Sequence, residues 1–215
     1  ARMIGAGDQK EAARVSGQVF KMALLLSAFL TALMLLAAPL VPVIMNADPA
    51  VYPDAIAYMR FLSLGFVPHF TGMAMGALMR GAGDTRTPMI AGLLSNGLNV
   101  ALNFLLIYSP RQGSLLGLSF PLWGAGMGVA GAALASALAT ASAGAYILLS
   151  ARRKNSALPV QWKMRWDSGL AKRVLRIAYP AALERAAINL GQMFFARMVS
   201  GQGVAAFAAH NQSIQ

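Results

Sequence analysis

The sequence predicts an all-α fold, a polytopic bundle of transmembrane helices. Apolar residues make up 57% of the 215 residues and charged residues only 12%, whereas a soluble domain carries about a quarter charged residues. The charges are clustered, and the runs between the clusters reach the ~20 residues that a helix needs to cross a bilayer. The connectors alternate between rich and poor in Lys and Arg, as expected of a multi-pass membrane protein.

Five runs are long enough to span a membrane. Each is predicted to be helical, because lipid offers backbone polar groups no other hydrogen-bond partners. The predicted spans are 15–45, 55–79, 87–108, 123–150 and 174–199, and a sixth begins near Val204. We expect Pro68 to kink the second span, since proline removes a donor and clashes with the preceding turn.

The basic content of the connectors predicts which helix ends face the cytoplasm. The opening segment carries four Lys and Arg residues, the connector at 80–88 carries two, and the 151–176 linker carries eight. The connectors between them carry none at 46–55 and one after Tyr108. The opening segment, the 80–88 connector and the linker are therefore predicted to be cytoplasmic in a multi-pass protein of the inner (plasma) membrane.

Composition also excludes several classes of protein. The net charge of +11 lies at the ends of apolar runs, so it indicates topology and not a nucleic-acid partner. Cysteine is absent, which excludes thiol nucleophiles and thiolate metal sites. The two histidines, His69 and His210, are far apart in the sequence, which argues against a zinc cluster. With no nucleophile–base pair and no HExxH motif, we predict neither an enzyme nor a bound cofactor.

A short glycine-rich stretch, RGAGDTRTPM, follows the second span, and ARMIGAGDQK at the start of the chain repeats its GAGD core. Neither copy has the spacing of a phosphate-binding loop or follows a strand. Gly81 and Gly83 are instead predicted to turn the chain out of one helix. Asp84 or Thr85 would then cap the next helix, whose first turn contains Pro88.

The linker between the fourth and fifth spans is long and basic, and it carries Trp162 and Trp166 at helical spacing. This pattern predicts a short amphipathic helix on the cytoplasmic leaflet. In the fourth span, small residues fall four apart at Gly124, Gly128, Ala132, Ser136 and Thr140, which predicts a face for close helix packing. The alternative for Thr140 is a place in a cavity wall.

Several stretches in order resemble the multidrug and toxic compound extrusion (MATE) family: the opening ARMIGAGDQKEAARVSGQ, RGAGDTRTPM, GVAGAALASALA and LRIAYPAALERAAINLGQMFFARMVSG. The resemblance implies two six-helix lobes around a central cavity, with twelve helices in all. Residues 1–150 would hold the end of the second-to-third helix loop and helices three to six. Residues 151–173 would be the cytoplasmic linker, and 174–215 helix seven and the start of helix eight. We therefore expect a piece of a longer polypeptide, whose remainder is one of its partners.

Glu184 is the sole acidic residue inside a predicted span. Leaving an ionisable group there costs about 2.5–3.5 kcal/mol unless it faces protein or water. It is predicted to bind a proton or cation; the alternative is a structural ion pair with Arg185 or Arg60. Members of the resembled family often have a glutamate at this place in helix seven, implicated in ion coupling.

Amide side chains form two stripes. Asn96, Asn99 and Asn103 share one face of the third span, and they predict either a cavity wall that binds ion or substrate or polar contacts between helices. In some members of the resembled family the position of Asn103 is an Asp, whereas asparagine cannot titrate. Asn189 and Gln192 extend a second stripe that begins at Arg185 in the fifth span.

The resemblance implies secondary active efflux of amphipathic, cationic organic compounds in exchange for H⁺ or Na⁺ by alternating access, by a monomer in the lipid bilayer. Two alternatives stay open: a lipid-linked oligosaccharide flippase of the same superfamily, and a membrane scaffold that transports nothing. A row of cavity arginines would favour the flippase, but only Arg60 and Arg185 lie in spans away from the span ends.

Overall fold

The computed structural model describes residues 2–44, 48–115, 118–153, 156–163 and 165–200, and the predicted sixth span lies outside them. The helices are α1 (Arg2–Gly5), α2 (Gln9–Ala37), α3 (Val41–Ile44), α4 (Tyr52–Leu64), α5 (Phe66–Gly81), α6 (Arg86–Leu106), α7 (Gly128–Ala151) and α8 (Ser168–Ser200), with a 3-10 turn at Pro49–Val51. The chain forms two compact units, Ala1–Trp166 and Asp167–Gln215. The predicted all-α bundle is confirmed.

Four of the five predicted spans have the length and apolar composition of a membrane crossing. Among the described residues these are α2, α6, α7 and the bent pair formed by α4 and α5. The fifth span, predicted at 174–199, does form a helix, but α8 does not pass the same test. Its sequence includes Glu184, Arg185 and several amides, which lower its hydropathy.

The second span bends three residues before the predicted point. Helices α4 and α5 meet at 45° across Gly65, and Pro68 lies in the first turn of α5. The ring of a proline clashes with the carbonyl four residues earlier, and its nitrogen has no hydrogen to donate there. For Pro68 that carbonyl belongs to Leu64, the last residue of α4, so the proline acts one turn upstream.

Two other predicted boundaries were displaced. Helix α2 begins at Gln9, where Asp8 caps it, and ends at Ala37, since Pro39 and Pro42 follow. An antiparallel hairpin of β1 (Arg111–Leu115) and β2 (Leu118–Leu122) follows α6. The fourth helix begins at Gly128, and not at Trp123, because the amides of residues 125–128 donate to the carbonyl oxygens of residues 105–108 at the end of α6. This hairpin lies in the connector after Tyr108, where no strand was predicted.

Both GAGD stretches adopt the same turn, as predicted. Gly83 has φ +94°, its amide donates to the Arg80 carbonyl oxygen at 3.1 Å, and the Asp84 amide donates to that of Met79 at 2.9 Å. This pair of bonds is a Schellman motif. At the start of the chain Gly7, with φ +76°, and Asp8 repeat it, their amides donating to the carbonyl oxygens of Ile4 and Met3.

Asp84 caps α6, and Thr85 does not. The Asp84 carboxylate accepts hydrogen bonds from the Thr87 amide at 2.9 Å and the Thr87 hydroxyl at 2.7 Å. Thr85 provides no side-chain cap. Asp8 likewise accepts from the Glu11 amide at 3.0 Å. Each GAGD stretch therefore ends one helix with a glycine and starts the next with an aspartate.

The predicted amphipathic helix of the linker is not formed in the described residues between α7 and α8. Leu158 is buried in a cluster at one end of the first unit, with Met75, Met79, Ile147 and Ala151 among its members. Trp162 packs on Phe20 of α2 instead of presenting an apolar helix face. Contacts with the bundle compete with helix formation here, and Pro159 sits inside the segment.

Helix α7 lies at the centre of the first unit, in contact with α4, α5 and α6. A Cβ at Gly144 would overlap the Pro68 carbonyl oxygen, and one at Gly131 would lie 2.6 Å from the Leu106 carbonyl oxygen. The predicted small-residue face is confirmed in part: Gly124 precedes the helix but still approaches the Tyr108 backbone closely, and Ser136 bonds to Asn99 of α6. Within α7 the closest approaches are at Gly131 and Gly144, outside that face, because α7 is packed from several sides.

Candidate functional site

A chain of side-chain hydrogen bonds connects α6 to α7. Asn103 donates from Nδ2 to Asn99 Oδ1 at 3.0 Å, and Asn99 donates from Nδ2 to Ser136 Oγ at 3.2 Å. The buried Asn103 Oδ1 has no hydrogen-bond partner among the described residues. Two of the three predicted asparagines therefore bind each other and the neighbouring helix.

An open cleft of about 250 Å³ lies between α5 and α6, with α7 as its floor. It exists because α5 and α6 touch each other sparsely while each packs closely on α7. Its lining residues are His69, Gly72, Met73, Gly76, Arg80, Pro88, Ala91, Gly92, Ser95, Asn96, Thr140, Ala143, Gly144 and Ile147. The cleft is therefore built from the glycine-rich faces of three helices.

The structure divides the predicted site residues of the first unit between these two features. Asn96 and Thr140 line the cleft, whereas Asn99 and Asn103 belong to the hydrogen-bond chain. The Thr140 hydroxyl also donates to the Ser136 carbonyl oxygen at 2.8 Å, within α7. Thr140 thus offers the cleft its methyl group and the remaining acceptor capacity of its oxygen.

Two cleft residues, His69 and Arg80, were not predicted as site residues. Both lie on α5, as do Gly72 and Gly76, which bring the helix close to α7 and α6. The spacing of these glycines in the second span was a usable signal, because small residues four apart predict a close helix contact. No acidic residue is among the described lining residues, so the cleft carries positive charge at Arg80 and none of the opposite sign.

The remaining predicted site residues lie on α8, in the second unit. Glu184 is at the middle of this 33-residue helix, one turn after Pro180. It forms no ion pair with any residue that the structure describes, including its neighbour Arg185. Asn189 and Gln192 follow at spacings that place them near the face of Arg185. Within the second unit, Glu184 is thus a carboxylate without an ion-pair partner among the described residues.

The described residues contain no group of three or more His, Cys, Asp or Glu side chains placed to hold a metal ion. What the two units offer is hydrogen-bonding amides and hydroxyls, one arginine in a cleft and one carboxylate on a helix. Such groups bind and orient small molecules or ions without covalent chemistry.

Comparisons with known proteins agree along the chain. A family model described as MatE matches residues 1–105. The chain is 30% identical over 217 residues to the "Probable multidrug resistance protein NorM" of Thermotoga maritima, covering 100% of this chain and 44% of that protein. The chain thus spans less than half the length of this curated relative.

Two solved structures share the fold. One is described as "Crystal structure of MATE in complex with MaD3S"; it superimposes with a TM-score of 0.82 at 26% identity, over 98% of this chain and 45% of that one. The other is the inward-facing conformation of a multidrug resistance MATE family transporter of the MOP superfamily, with a TM-score of 0.73 at 26% identity, over 96% and 44%. Family model, curated relative and solved structures agree with the motifs in the sequence, and the chain belongs to the multidrug and toxic compound extrusion family of membrane transporters.

Proposed function

We propose that the protein to which this chain belongs is a secondary active transporter. It exports amphipathic, cationic organic compounds from the cell in exchange for H⁺ or Na⁺, by alternating access, as a monomer in the plasma membrane. The observation that carries this proposal is similarity over the whole chain to a curated multidrug resistance protein. The apolar helices and the largely uncharged polar groups of the site support it, since amphipathic compounds need both kinds of surface.

Glu184 is the proposed coupling residue. In this proposal α8 crosses the membrane, and a carboxylate at the middle of such a helix must be neutralised by a proton, a metal cation or a basic side chain. No described basic residue of the second unit forms an ion pair with Glu184, and a mobile H⁺ or Na⁺ takes this role in the proposal. Binding of substrate and binding of the ion would then be coupled through the same conformational equilibrium.

Four uncharged side chains are proposed to contact substrate or ion: Asn96, Thr140, Asn189 and Gln192. Asn96 and Thr140 are supported by their place in the cleft wall. Asn99 and Asn103 bind each other and Ser136. Their proposed role is to hold α6 on α7 and to leave the Asn103 carbonyl oxygen as an acceptor.

The test uses the full-length protein in proteoliposomes and follows efflux of a fluorescent lipophilic cation under an imposed pH or Na⁺ gradient. Glu184→Gln should abolish gradient-driven transport while the protein still inserts. Asp54→Asn, which neutralises an exposed acid in the first turn of α4, is the matched control and should transport normally. The gradient that drives transport identifies the coupling ion.

Two results would contradict the proposal. Wild-type vesicles that move no cation under either gradient would favour the flippase or the scaffold, and assayed flipping of a lipid-linked oligosaccharide separates these two. If instead wild-type protein transports and Glu184→Gln transports equally well, efflux stands and the coupling role of Glu184 is wrong.

A further inference from the structure

The side chain of Arg80 lies back along α5. Arg80 is in the last turn of this helix, and its Nη1 is 3.7 Å from the position that a Cβ would occupy at Gly76. Long side chains on a helix lean toward its N-terminus, over the residue four positions earlier. The guanidinium therefore lies beside the backbone of Gly76, at van der Waals distance from where a Cβ would be, and it lines the cleft.

The Arg80 guanidinium has no counter-ion in the described chain. No acidic residue is among the described residues that line the cleft, and Arg80 forms no ion pair with any described residue. A guanidinium presents five N–H donors in a planar fork that matches the oxygens of a phosphate. The cleft therefore has an unused anion-binding group at one end.

The rest of the cleft is mostly apolar. Below Arg80 its walls include Gly72, Met73 and Ile147, and Met73 is 54% exposed. A ligand that fits both the Arg80 end and the apolar walls has an anionic head and a hydrocarbon tail. The head would lie at the arginine and the tail along the walls. A small soluble anion would leave the apolar part uncovered, and an organic cation would be repelled only at the Arg80 end of the cleft.

The position of Arg80 indicates where an amphipathic anion that fits the cleft would come from. Arg80 and Arg86 flank the GAGD turn at the end of the first unit where the basic opening segment and the linker also meet, joined by the bond from the Gln161 amide to the Ala13 carbonyl oxygen. This end is predicted to be cytoplasmic, and basic pockets between transmembrane helices on that side bind the headgroups of anionic lipids.

We propose that the cleft between α5 and α6 is a binding site for an anionic phospholipid of the cytoplasmic leaflet. Arg80 binds the phosphate, and an acyl chain lies along Gly72, Met73 and Ile147. The lipid is a resident ligand and not the exported compound, and it occupies the part of the cleft lined by Arg80, Gly72, Met73 and Ile147. Because lipid retention is measured without transport, failure of this proposal and failure of the proposed efflux are distinguishable. Bound lipid would hold α5 and α6 at their present separation on α7.

The experiment measures lipid retention by the full-length protein. Purified protein is delipidated, loaded with phosphatidylglycerol or phosphatidylcholine, and bound lipid is counted by native mass spectrometry. Wild-type protein should retain phosphatidylglycerol at least tenfold better than phosphatidylcholine. In Arg80→Gln the ratio of retained phosphatidylglycerol to retained phosphatidylcholine should fall at least fivefold. Arg86→Gln removes a charge from the same turn at a position outside the cleft lining, and it should keep the preference.

A second variant separates loss of the site from loss of the fold. Gly76→Leu keeps Arg80 but fills the space beside it, and it should also reduce retention. Helicity by circular dichroism identifies any variant that fails to fold, in which case the other variant decides. Soluble glycerol phosphate, tested alone, should bind far more weakly than the lipid.

Three outcomes would overturn the proposal. Equal retention of the two lipids by wild-type protein excludes selection of an anionic head. If Arg80→Gln and Arg86→Gln lose the same share of the preference for phosphatidylglycerol, the lipid is attracted by the basic surface in general and not by a specific site. Glycerol phosphate that binds as well as the lipid would assign Arg80 to a soluble anion.

Discussion

Trp162 of the linker packs edge-on against Phe20 of α2, with ring centroids 5.0 Å apart and ring planes at 74°. The Arg152 guanidinium lies over the Trp162 ring, 5.0 Å from its centroid. An aromatic pair contributes about 0.5–1.5 kcal/mol beyond its area, and a cation–π contact about 0.5–1 kcal/mol. The linker is therefore held on the first unit by its own side chains.

Trp162→Ala should lower the free energy of unfolding by about 2 kcal/mol, because both ring contacts and part of the buried area are lost. SDS titration in mixed micelles, followed by helicity, measures the change. Trp166→Ala is the matched control: this ring is 49% exposed, so a change below about 0.5 kcal/mol is expected. Equal effects of the two substitutions would mean that the docking of the linker contributes little.

The capping hydrogen bonds of Asp84 predict that the stability of the folded protein depends on pH. Donation from the Thr87 amide and hydroxyl stabilises the ionised carboxylate and lowers the pKa of Asp84 below its ordinary value of 3.8. A pKa that is lower in the folded state contributes stability above pH 3.8, and the contribution is lost as the pH falls through the folded value. Asp84→Ala should cost about 1 kcal/mol at neutral pH.

Two variants isolate this effect. Asp84→Asn keeps a capping side chain that does not titrate, so its stability relative to wild type should rise as the pH falls below 4. Thr85→Ala should change little, since Thr85 makes no capping bond with its side chain. Thermal unfolding between pH 3 and 7 measures both, and a larger loss in Thr85→Ala than in Asp84→Ala would contradict the assignment of the cap.

Gly144→Ala should destabilise the first unit by about 1–3 kcal/mol, as overpacking does. A Cβ at this position overlaps the backbone of Pro68, so α5 and α7 must move apart. Gly97→Ala is the control in α6, where no atom lies within 4 Å of the added carbon. It should stabilise the helix by up to about 1 kcal/mol, and the opposite order in thermal unfolding would contradict the packing described above.

The bond between Asn99 and Ser136 should couple α6 to α7. Hydrogen bonds between membrane helices contribute about 0.6 kcal/mol on average and at most about 1.7 kcal/mol. A double-mutant cycle of Asn99→Ala and Ser136→Ala should return a coupling energy in this range. The same cycle with Ser142→Ala, whose hydroxyl donates within α7 to Ala139 at 2.7 Å, should return zero. Zero coupling for Ser136 as well would leave Asn99 without a structural role here.

Much of the fold could be predicted because its signals are local. The apolar runs predicted the helices, and both GAGD turns followed from the requirement for glycine at positive φ and a capping aspartate. The predicted helix boundaries were less accurate where residues outside the helix decide its end. Pro68 displaces the bend to Gly65, and hydrogen bonds to the end of α6 keep residues 123–127 out of the fourth helix.

The candidate site was predicted only in part. The periodicity of Asn96, Asn99 and Asn103 placed three amides on one face, but it could not distinguish the one that lines the cleft from the two that bind each other and Ser136. Arg80 was assigned to the connector because it precedes GAGD. Arg80 lines the cleft beside Gly76, one turn away, and this placement depends on how α6 and α7 approach that glycine.

The sequence by itself determined which segments are helical, where the chain turns and which turns are basic, since hydropathy, glycine, proline and capping residues act within a few positions of each other. Only the tertiary structure decided that the linker docks on α2, that Gly131 and Gly144 carry the close approaches, and that α5 and α6 leave a cleft above α7. These features depend on side chains far apart in the sequence, whose contacts are fixed by packing and not by any local preference.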